Sequence, residues 1–376
     1  MEEKNGCVLL ETFGRIEDPR IDRCKCHKLL DILAVTVCAA ICGADTWVAV
    51  AQFGRDKEEW LRTFLELPNG IPSHDTFGRV FALLDPAAFQ DAFRDWVSAI
   101  QGRVQGVVAV DGKTARRSHG GADGKKAIHV VSAWADECSL ALGQVKTADK
   151  SNEITAIPEL LRALDLAGCL VTADAMGCQR EIARTIVEAG ADYLLAVKDN
   201  QETLADDVEQ EFKQAMAEDF GHMEHQYLET LDKGHGRIEI RQYWYTSDIQ
   251  GLGTAHRWPG LAGMAMCRAT RIVGDQTSVE DRYYITSACG ADVGKIAGGI
   301  RRHWGIENSL HWVLDVAFDE DQSRIRIGHA AENMAVVRKM ALNAIRKCQS
   351  GKGGIKTKRL HAGWNNSYLE EVLAAI

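Results

Sequence analysis

The chain has 376 residues, 46% of them hydrophobic and 26% charged, with a formal net charge of −9. That length supports a sizeable core and two or three domains, and the composition excludes a disordered or fibrous chain. The acidic balance argues against a protein that binds nucleic acid over its whole surface, because phosphate contacts need Lys and Arg, although charge can be concentrated locally.

Eleven scattered cysteines read as reduced thiols of a cytoplasmic protein. The acidic start Met1-Glu2-Glu3-Lys4 has none of the features of a targeting signal. The most apolar stretch, Leu29 to Gly43, is interrupted by Asp31 and is too short to span a bilayer. It predicts a core helix and no membrane partner.

Residues 1–105 read as an all-α domain. Leu29 to Ala51 is rich in Ala, Leu and Val and predicts one helix. Asp56 to Leu65 predicts a second, ended by Pro68-Asn69-Gly70. Ser73 is an N-cap for the next helix, and Asp85-Pro86 opens another to about Ile100. The Ser73 to Leu84 helix admits two readings, the DNA-reading helix of a helix–turn–helix or part of a bundle packed on the next domain. Cys24, Cys26 and His27 resemble half a zinc site, with no second pair at finger spacing.

Gly106-Val107-Val108-Ala109-Val110-Asp111-Gly112-Lys113 is a buried strand ending in a carboxylate and a turn glycine. Open α/β sheets bind ligands at such strand ends. Lys126 to Ala135 and Leu140 to Thr147 predict two further strands in a meander, with Gly124 in the first join. Then come a helix from Ile154 to Leu166, a strand Cys169 to Ala173 ending at Asp174, a helix Arg180 to Ala189 and a strand Tyr193 to Lys198. If the strands that end in Asp111 and Asp174 are neighbours, two like charges converge, which is costly unless a divalent cation lies between them. The alternative is two unrelated turn aspartates, each capping the next helix.

From about 201 to 290 the pattern is that of an insertion. Glu202 to Ala217 predicts an acidic helix, and Ile238 to Tyr245, Ala262 to Val273 and Asp281 to Thr286 predict three or more strands. His235, Arg237 and Arg241 form a basic cluster that suits either phosphate or solvent. Val293 to Phe318 predicts a long helix. On it His303, Glu307, His311 and Asp315 recur at i, i+4, i+8 and i+12, on one face flanked by Trp304 and Trp312. The HExxH spacing of a zinc helix is absent.

Three motifs now stand together: Val110-Asp111-Gly112-Lys113; Thr172-Ala173-Asp174-Ala175; and His303-Trp304-Gly305-Ile306-Glu307-Asn308 with His311-Trp312-Val313-Leu314-Asp315. They resemble the DDE transposases of bacterial insertion sequences, in the group that includes the H-repeat-associated proteins. The resemblance covers most of the chain, including Phe13 to Val97 and Ala362 to Leu369.

It implies an α/β fold with an RNase H-like mixed sheet in 106–345, interrupted by the β-rich insertion, preceded by the all-α domain and followed by a basic C-terminal tail with a short helix in 346–376. It implies that Asp111, Asp174 and Glu307 bind two Mg²⁺ or Mn²⁺ ions about 3.5–4 Å apart, with Asp111 between them. The implied reaction is hydrolysis at the element's terminal inverted repeats, followed by attack of the freed 3′-OH on target DNA. A homodimer on double-stranded DNA is implied as well.

Where related transposases carry Tyr, Arg and Lys around the Glu, this chain has Ile300, His303 and Leu314. DNA contacts are therefore expected from Arg301, Arg302, His303, Asn308 and His311, and from Lys113, Arg116 and Arg117 after the first strand. Lys352, Lys356, Lys358 and Arg359 add a basic patch that suits either backbone contact or a solvated tail. Two rival readings are a non-catalytic DNA-binding descendant and a metal-dependent nuclease that cuts without joining.

Overall fold

The computed structural model describes residues 8–119, 126–147, 153–234 and 236–376. Of the sequence-derived features, Gly124 and His235 lie outside these residues, as does the side chain of Cys24.

The N-terminal part is helical: α1 Val8–Phe13, α2 Leu29–Ile41, α3 Trp47–Asp56, α4 Glu58–Leu61, α5 His74–Leu83 and α6 Pro86–Gln101. The single helix expected from Leu29 to Ala51 is two, because the Thr46 side chain accepts from the Ala49 amide and caps a new start. The helix expected from Asp56 to Leu65 shrinks to the one turn of α4. α2 is buried almost all round, as its composition predicts. Its one carboxylate, Asp31, accepts the Leu67 amide at 2.9 Å, so the buried charge is hydrogen-bonded. Ser73 and Asp85 cap α5 and α6 as expected.

The α/β part runs β1 Val107–Thr114, β2 His129–Ala135, β3 Leu140–Thr147, α7 Glu153–Arg162, β4 Leu170–Ala173, α8 Arg180–Glu188 and β5 Asp192–Val197. The insertion supplies α9 Glu202–Ala217, β6 Gln226–Gly234, β7 Arg237–Thr246, β8 Gly263–Val273 and β9 Gln276–Thr286. All nine strands form one sheet in the order β3-β2-β1-β4-β5-β9-β8-β7-β6. β1, β4 and β5 are parallel, and the remaining neighbours are antiparallel. The first five strands give the RNase H-like arrangement, and the insertion extends the same sheet through β9.

β6 was not anticipated from the sequence. It is an edge strand exposed along nearly its whole length, so it lacks the apolar alternation that marks a buried strand.

The chain ends with α10 Val293–His303, a π-helical turn Ile306–His311, α11 Trp312–Phe318, α12 Ala330–Lys347, α13 Ile355–Trp364 and α14 Asn366–Ala374. α12 is buried along nearly its full length and ties the halves together. The Asn333 amide donates to the α5 carbonyl of Phe81 at 3.0 Å and to that of Leu84 at 2.9 Å, while Asn343 pairs with the Ala141 backbone of β3. α5 thus packs on the α/β half, and its solvent side carries a single Arg, Arg79. Among the described residues no helix is long and apolar enough to cross a membrane.

The C-terminal segment corrects an expectation. Instead of a tail with one short helix it forms two helices, and Arg359 is 3% exposed. Its guanidinium donates to Asp45 at 2.7 Å and to the carbonyls of Ala40 and Ala317, and it lies 3.9 Å from the Phe318 ring centroid. It is a clasp between α2 and α13 and has no surface to offer DNA, whereas Lys352 and Lys356 remain exposed. Arg359→Lys is expected to destabilise the protein by about 1.5–3 kcal/mol, because an ammonium cannot reproduce the planar fork. Urea unfolding of the variant beside the parent checks this.

Candidate active site

The register of β1 and β4 decides where the two aspartates go. The last parallel pair is Val110↔Ala173, so Asp111 and Asp174 stand level, one residue beyond it. Neighbouring strands lie about 4.8 Å apart, so the carboxylates are adjacent. Side chains alternate between faces along a strand. Asp111 therefore shares its face with Val107, and Asp174 with Leu170 and Thr172. Val107 and Leu170 pack against Ile296, Ala297 and Ile300 of α10. Both carboxylates thus leave the sheet on the side that α10 covers. β1 itself does not stop at Asp111 but continues to Thr114, paired only with β2.

α10 lies close to the sheet at Gly299, where a Cβ would come within 2.9 Å of the Leu170 and Leu194 side chains. From there the helix runs across the ends of β4 and β1. His303 meets Thr172 at 3.0 Å, His311 meets Asp111 at 3.4 Å, and Asp315 meets Lys113 at 2.7 Å. His303, His311 and Asp315 of the predicted ladder therefore face the sheet, and Glu307 stands exposed between the two histidines, where it lines a cleft beside Asp174.

The long helix expected from Val293 to Phe318 is interrupted by the π turn, and this has a consequence. An i+4 ladder drifts around an α-helix, because 3.6 residues make a turn. The wider π turn, of a kind frequent at functional sites, counters that drift. Buried Ile306 and Leu310 anchor the turn. Arg346 of α12, lying 4.7 Å from the Trp134 ring centroid, donates to the Ser309 carbonyl at 2.5 Å. The sequence carried no signal for Arg346 or Trp134, which reach Glu307 only through packing.

The electrostatics of the three carboxylates differ. Burial works to raise Asp111, but His311, the Gly112 amide and His303 outweigh it and hold the acid below its usual range. Asp174 is raised by burial, with the charges of Asp111 and Glu153 adding to it and the Gly177 amide opposing. Glu307 is raised by burial and by Asp111 and Asp174. Each of the last two sits in the negative field of other carboxylates, a condition that a divalent cation relieves. The set offers only hard oxygen donors, which suits Mg²⁺ or Mn²⁺. Among the described residues no three His, Cys, Asp or Glu side chains already form a closed metal cage. That is compatible with Mg²⁺, which keeps several waters and takes substrate phosphate oxygens as further ligands. Asp174 also caps the turn Ala175–Gly177, so the capping alternative holds for it alongside its place at the site.

A cleft of about 210 Å³ opens here, lined by Asp174, His303, Glu307, Thr172, Lys198 and Arg282. Neither Lys198 nor Arg282 stands out in the sequence as a site residue. Lys198 follows β5, the neighbour of β4, so the strand-end logic that found the aspartates could have found it as well. Arg282 comes from the insertion and had no local signal.

The other expected residues separate. Arg116 is exposed, and its backbone amide and guanidinium are both tied to Asp321. Arg301 and Asn308 are exposed beside the insertion strands. Arg302 points the other way, paired with Glu137 and with Asp136 at 3.8 Å on the β2–β3 turn. Ile300 and Leu314 are buried, so those two positions serve packing. Lys113 corrects an expectation. Its ammonium is taken up by Asp315 at 2.7 Å, Glu320 at 3.2 Å and Asp321 at 3.4 Å, which leaves it unsuited to hold phosphate. His27 bonds to the Gly70 carbonyl, away from any zinc-like group among the described residues.

Gly112 is a place where any side chain would collide. A Cβ would lie 2.5 Å from both Glu153 Oε1 and His129 Nε2, which are buried and bonded to each other. Gly112→Ala is expected to cost about 1–3 kcal/mol by overpacking and to displace Asp111. Its unfolding midpoint should fall below that of the parent.

The fold and the acidic trio define an RNase H-like domain with carboxylates on β1, after β4 and on the last helix of the site. Comparisons with known proteins give the family. The family model described as "Transposase DDE domain" matches residues 102–344, and that of its associated domain, "DDE_Tnp_1-associated", matches 10–97. The chain is 44% identical over 372 residues to "Putative transposase YncI" of Escherichia coli O157:H7, covering 98% of this chain and 94% of that one. It is 39% identical over 373 residues to "H repeat-associated putative transposase YhhI" of Escherichia coli (strain K12), covering 97% of each. Among solved structures it is similar to a piggyBac transposase in a synaptic complex with hairpin DNA, at a TM-score of 0.42 and 8% identity, covering 97% of this chain and 77% of that one. The chain belongs to the DDE transposase family, in the group of the H-repeat-associated proteins.

Proposed function

We propose that the protein is a DNA transposase that hydrolyses the phosphodiester bonds at the ends of its insertion sequence and joins the freed 3′ ends to target DNA. The observation that carries this reading is the level placement of Asp111 and Asp174 at the ends of neighbouring strands, with Glu307, on the π turn after α10, lining the same cleft as Asp174. Asp111, Asp174 and Glu307 would hold the divalent cations. When bound, these ions supply an activated water and a stabilised leaving 3′-oxygen.

The chain's own groups complete the site. His311 keeps Asp111 ionised and oriented. Thr172 fixes the His303 ring, which borders the cleft. Lys198 and Arg282 bring positive charge to where a phosphate would sit. The partner is double-stranded DNA carrying the terminal repeats, and two copies of the chain are expected to pair the two ends. The reading also places the protein in the bacterial cytoplasm.

The test is incubation with Mg²⁺ or Mn²⁺ and a duplex carrying the repeats that flank the gene. Metal-dependent end cleavage followed by strand-transfer products supports a transposase. Cleavage without joining would identify a nuclease, and end binding without cleavage a non-catalytic DNA-binding protein.

A further inference from the structure

The insertion has two distinct zones on the face that α10 covers. Near the main sheet this face is apolar, and Tyr243, Tyr245, Ala265, Cys267 and Tyr284 pack against α10. Farther out the same face is uncovered and charged. On β7 the alternating residues are Arg237, Glu239 and Arg241, on β8 Ala269 and Arg271, and on β9 Ser278, Glu280 and Arg282. The register sets Arg241 opposite Ala269, and Ala269 opposite Glu280. Short side chains at Cys267 and Ala269 on the middle strand leave a trough between longer ones on its neighbours.

This trough has a volume of about 410 Å³. Five arginines line it, Arg237, Arg241, Arg271, Arg282 and Arg301, against two glutamates, Glu239 and Glu280. The glutamates are already engaged: Glu239 pairs with Arg237 at 3.1 Å and with Arg241, and Glu280 pairs with Arg282 at 2.8 Å. Among the described residues Arg271 has no ion-pair partner, although it stands opposite Glu239 in the register. Asp232 of β6 also pairs with Arg241 at 2.8 Å and with Arg301 at 3.6 Å, so five arginines meet three carboxylates and a local surplus of positive charge remains, in a chain whose net charge is −9. The trough is also continuous with the carboxylate cleft, because Arg282, Tyr284, Ile300 and Trp304 line both. Arg282 lies 5.4 Å from the Trp304 ring centroid at the junction.

We propose that this trough is a track for the phosphate backbone of the duplex whose scissile bond enters the carboxylate cleft. The inference rests on the transposase reading and adds to it a direction, with the duplex leaving the site across β9, β8 and β7. Contacts to phosphate carry no sequence information, so a track that meets only the backbone is indifferent to sequence. In this arrangement the extension of the catalytic sheet through β9 holds the track rigidly against the cleft.

The experiment is a fluorescence-anisotropy titration of the full chain with two labelled duplexes, one carrying the flanking repeats and one of unrelated sequence, over a series of KCl concentrations. The variants are Arg237→Ala with Arg271→Ala, both exposed, and Arg268→Ala, which lies on the opposite face of β8 and removes one charge. The double variant is expected to bind both duplexes more weakly and to flatten the slope of log K against log salt by about two, near 0.9 for each phosphate that is no longer neutralised. Arg268→Ala is expected to keep the parent slope.

An unchanged slope in the double variant, with parent binding intact, overturns the track and leaves the transposase reading standing. Weakening confined to the repeat-bearing duplex also overturns it, because the contact would then read bases. A parent protein that binds neither duplex overturns both readings.

Discussion

End cleavage is expected to fall by about a thousandfold or more, about 4 kcal/mol of transition-state stabilisation, in each of Asp111→Ala, Asp174→Ala and Glu307→Ala. In the proposed function the three carboxylates act as one unit, so removal of any one should cost nearly as much as removal of all three. Persistence of cleavage in a single variant would remove that residue from the site. Stability should move differently. Asp174 and Glu307 keep part of their surface in water but are both raised by partial burial and by neighbouring negative charge, so their ionised forms carry a modest penalty in the folded state. Asp174→Asn, which keeps a capping oxygen for the Gly177 amide, and Glu307→Gln should therefore unfold at or above the parent temperature in metal-free buffer. Mg²⁺ or Mn²⁺ should raise the parent midpoint by linkage, reaching about 2.7 kcal/mol at a hundred times the dissociation constant, and should do so far less in Asp111→Ala. That readout needs no DNA and no turnover.

Glu320→Ala is expected to destabilise the fold by about 3–5 kcal/mol, the usual result of removing one partner from a buried charge cluster. Glu320 is 4% exposed and faces Lys113 at 3.2 Å and Arg338 at 3.7 Å. Burial alone would raise its carboxyl, but Lys113, Lys339 and Arg338 outweigh burial and hold it at about 2. Burial pushes Lys339 down to about 8. A carboxyl whose folded value lies below its unfolded value stabilises the protein fully above the unfolded value. That contribution fades as the pH falls. For Glu320 the window runs from its ordinary value of 4.5 down to about 2. Urea unfolding across that range should show the parent losing stability with acid while Glu320→Gln loses less. Because Lys113 also holds Asp315, the cluster links the core to the helix that carries Glu307.

Much of this arrangement was legible in the chain. The runs before Asp111 and Asp174 are apolar and short, and strand type and carboxylate position follow from local pattern. The ladder of His303, Glu307, His311 and Asp315 follows from helical spacing, and each of its outer members finds a partner on the sheet. Other features had no local trace. β6 is exposed along nearly its whole length, so its alternation is faint. Lys113 and Arg359 look like surface cations in the sequence, because nothing in a Lys or Arg side chain marks it for burial. Each becomes a buried partner only when distant acids, Glu320 and Asp45, arrive beside it.

Local pattern thus accounts for most element types, for the family and for the choice of Asp111, Asp174 and Glu307 as the candidate acids, because periodicity, capping and strand-end chemistry act over a few residues. Tertiary structure alone decided the π turn beneath Glu307, the assignment of Lys113 and Arg359 to the interior, and the meeting of Arg282 from the insertion with Trp304 from the last helix. These depend on contacts across tens to hundreds of residues, such as Arg346 with Ser309 or Arg359 with Asp45, and packing chooses among them by which buried charges and carbonyls would otherwise lack a partner.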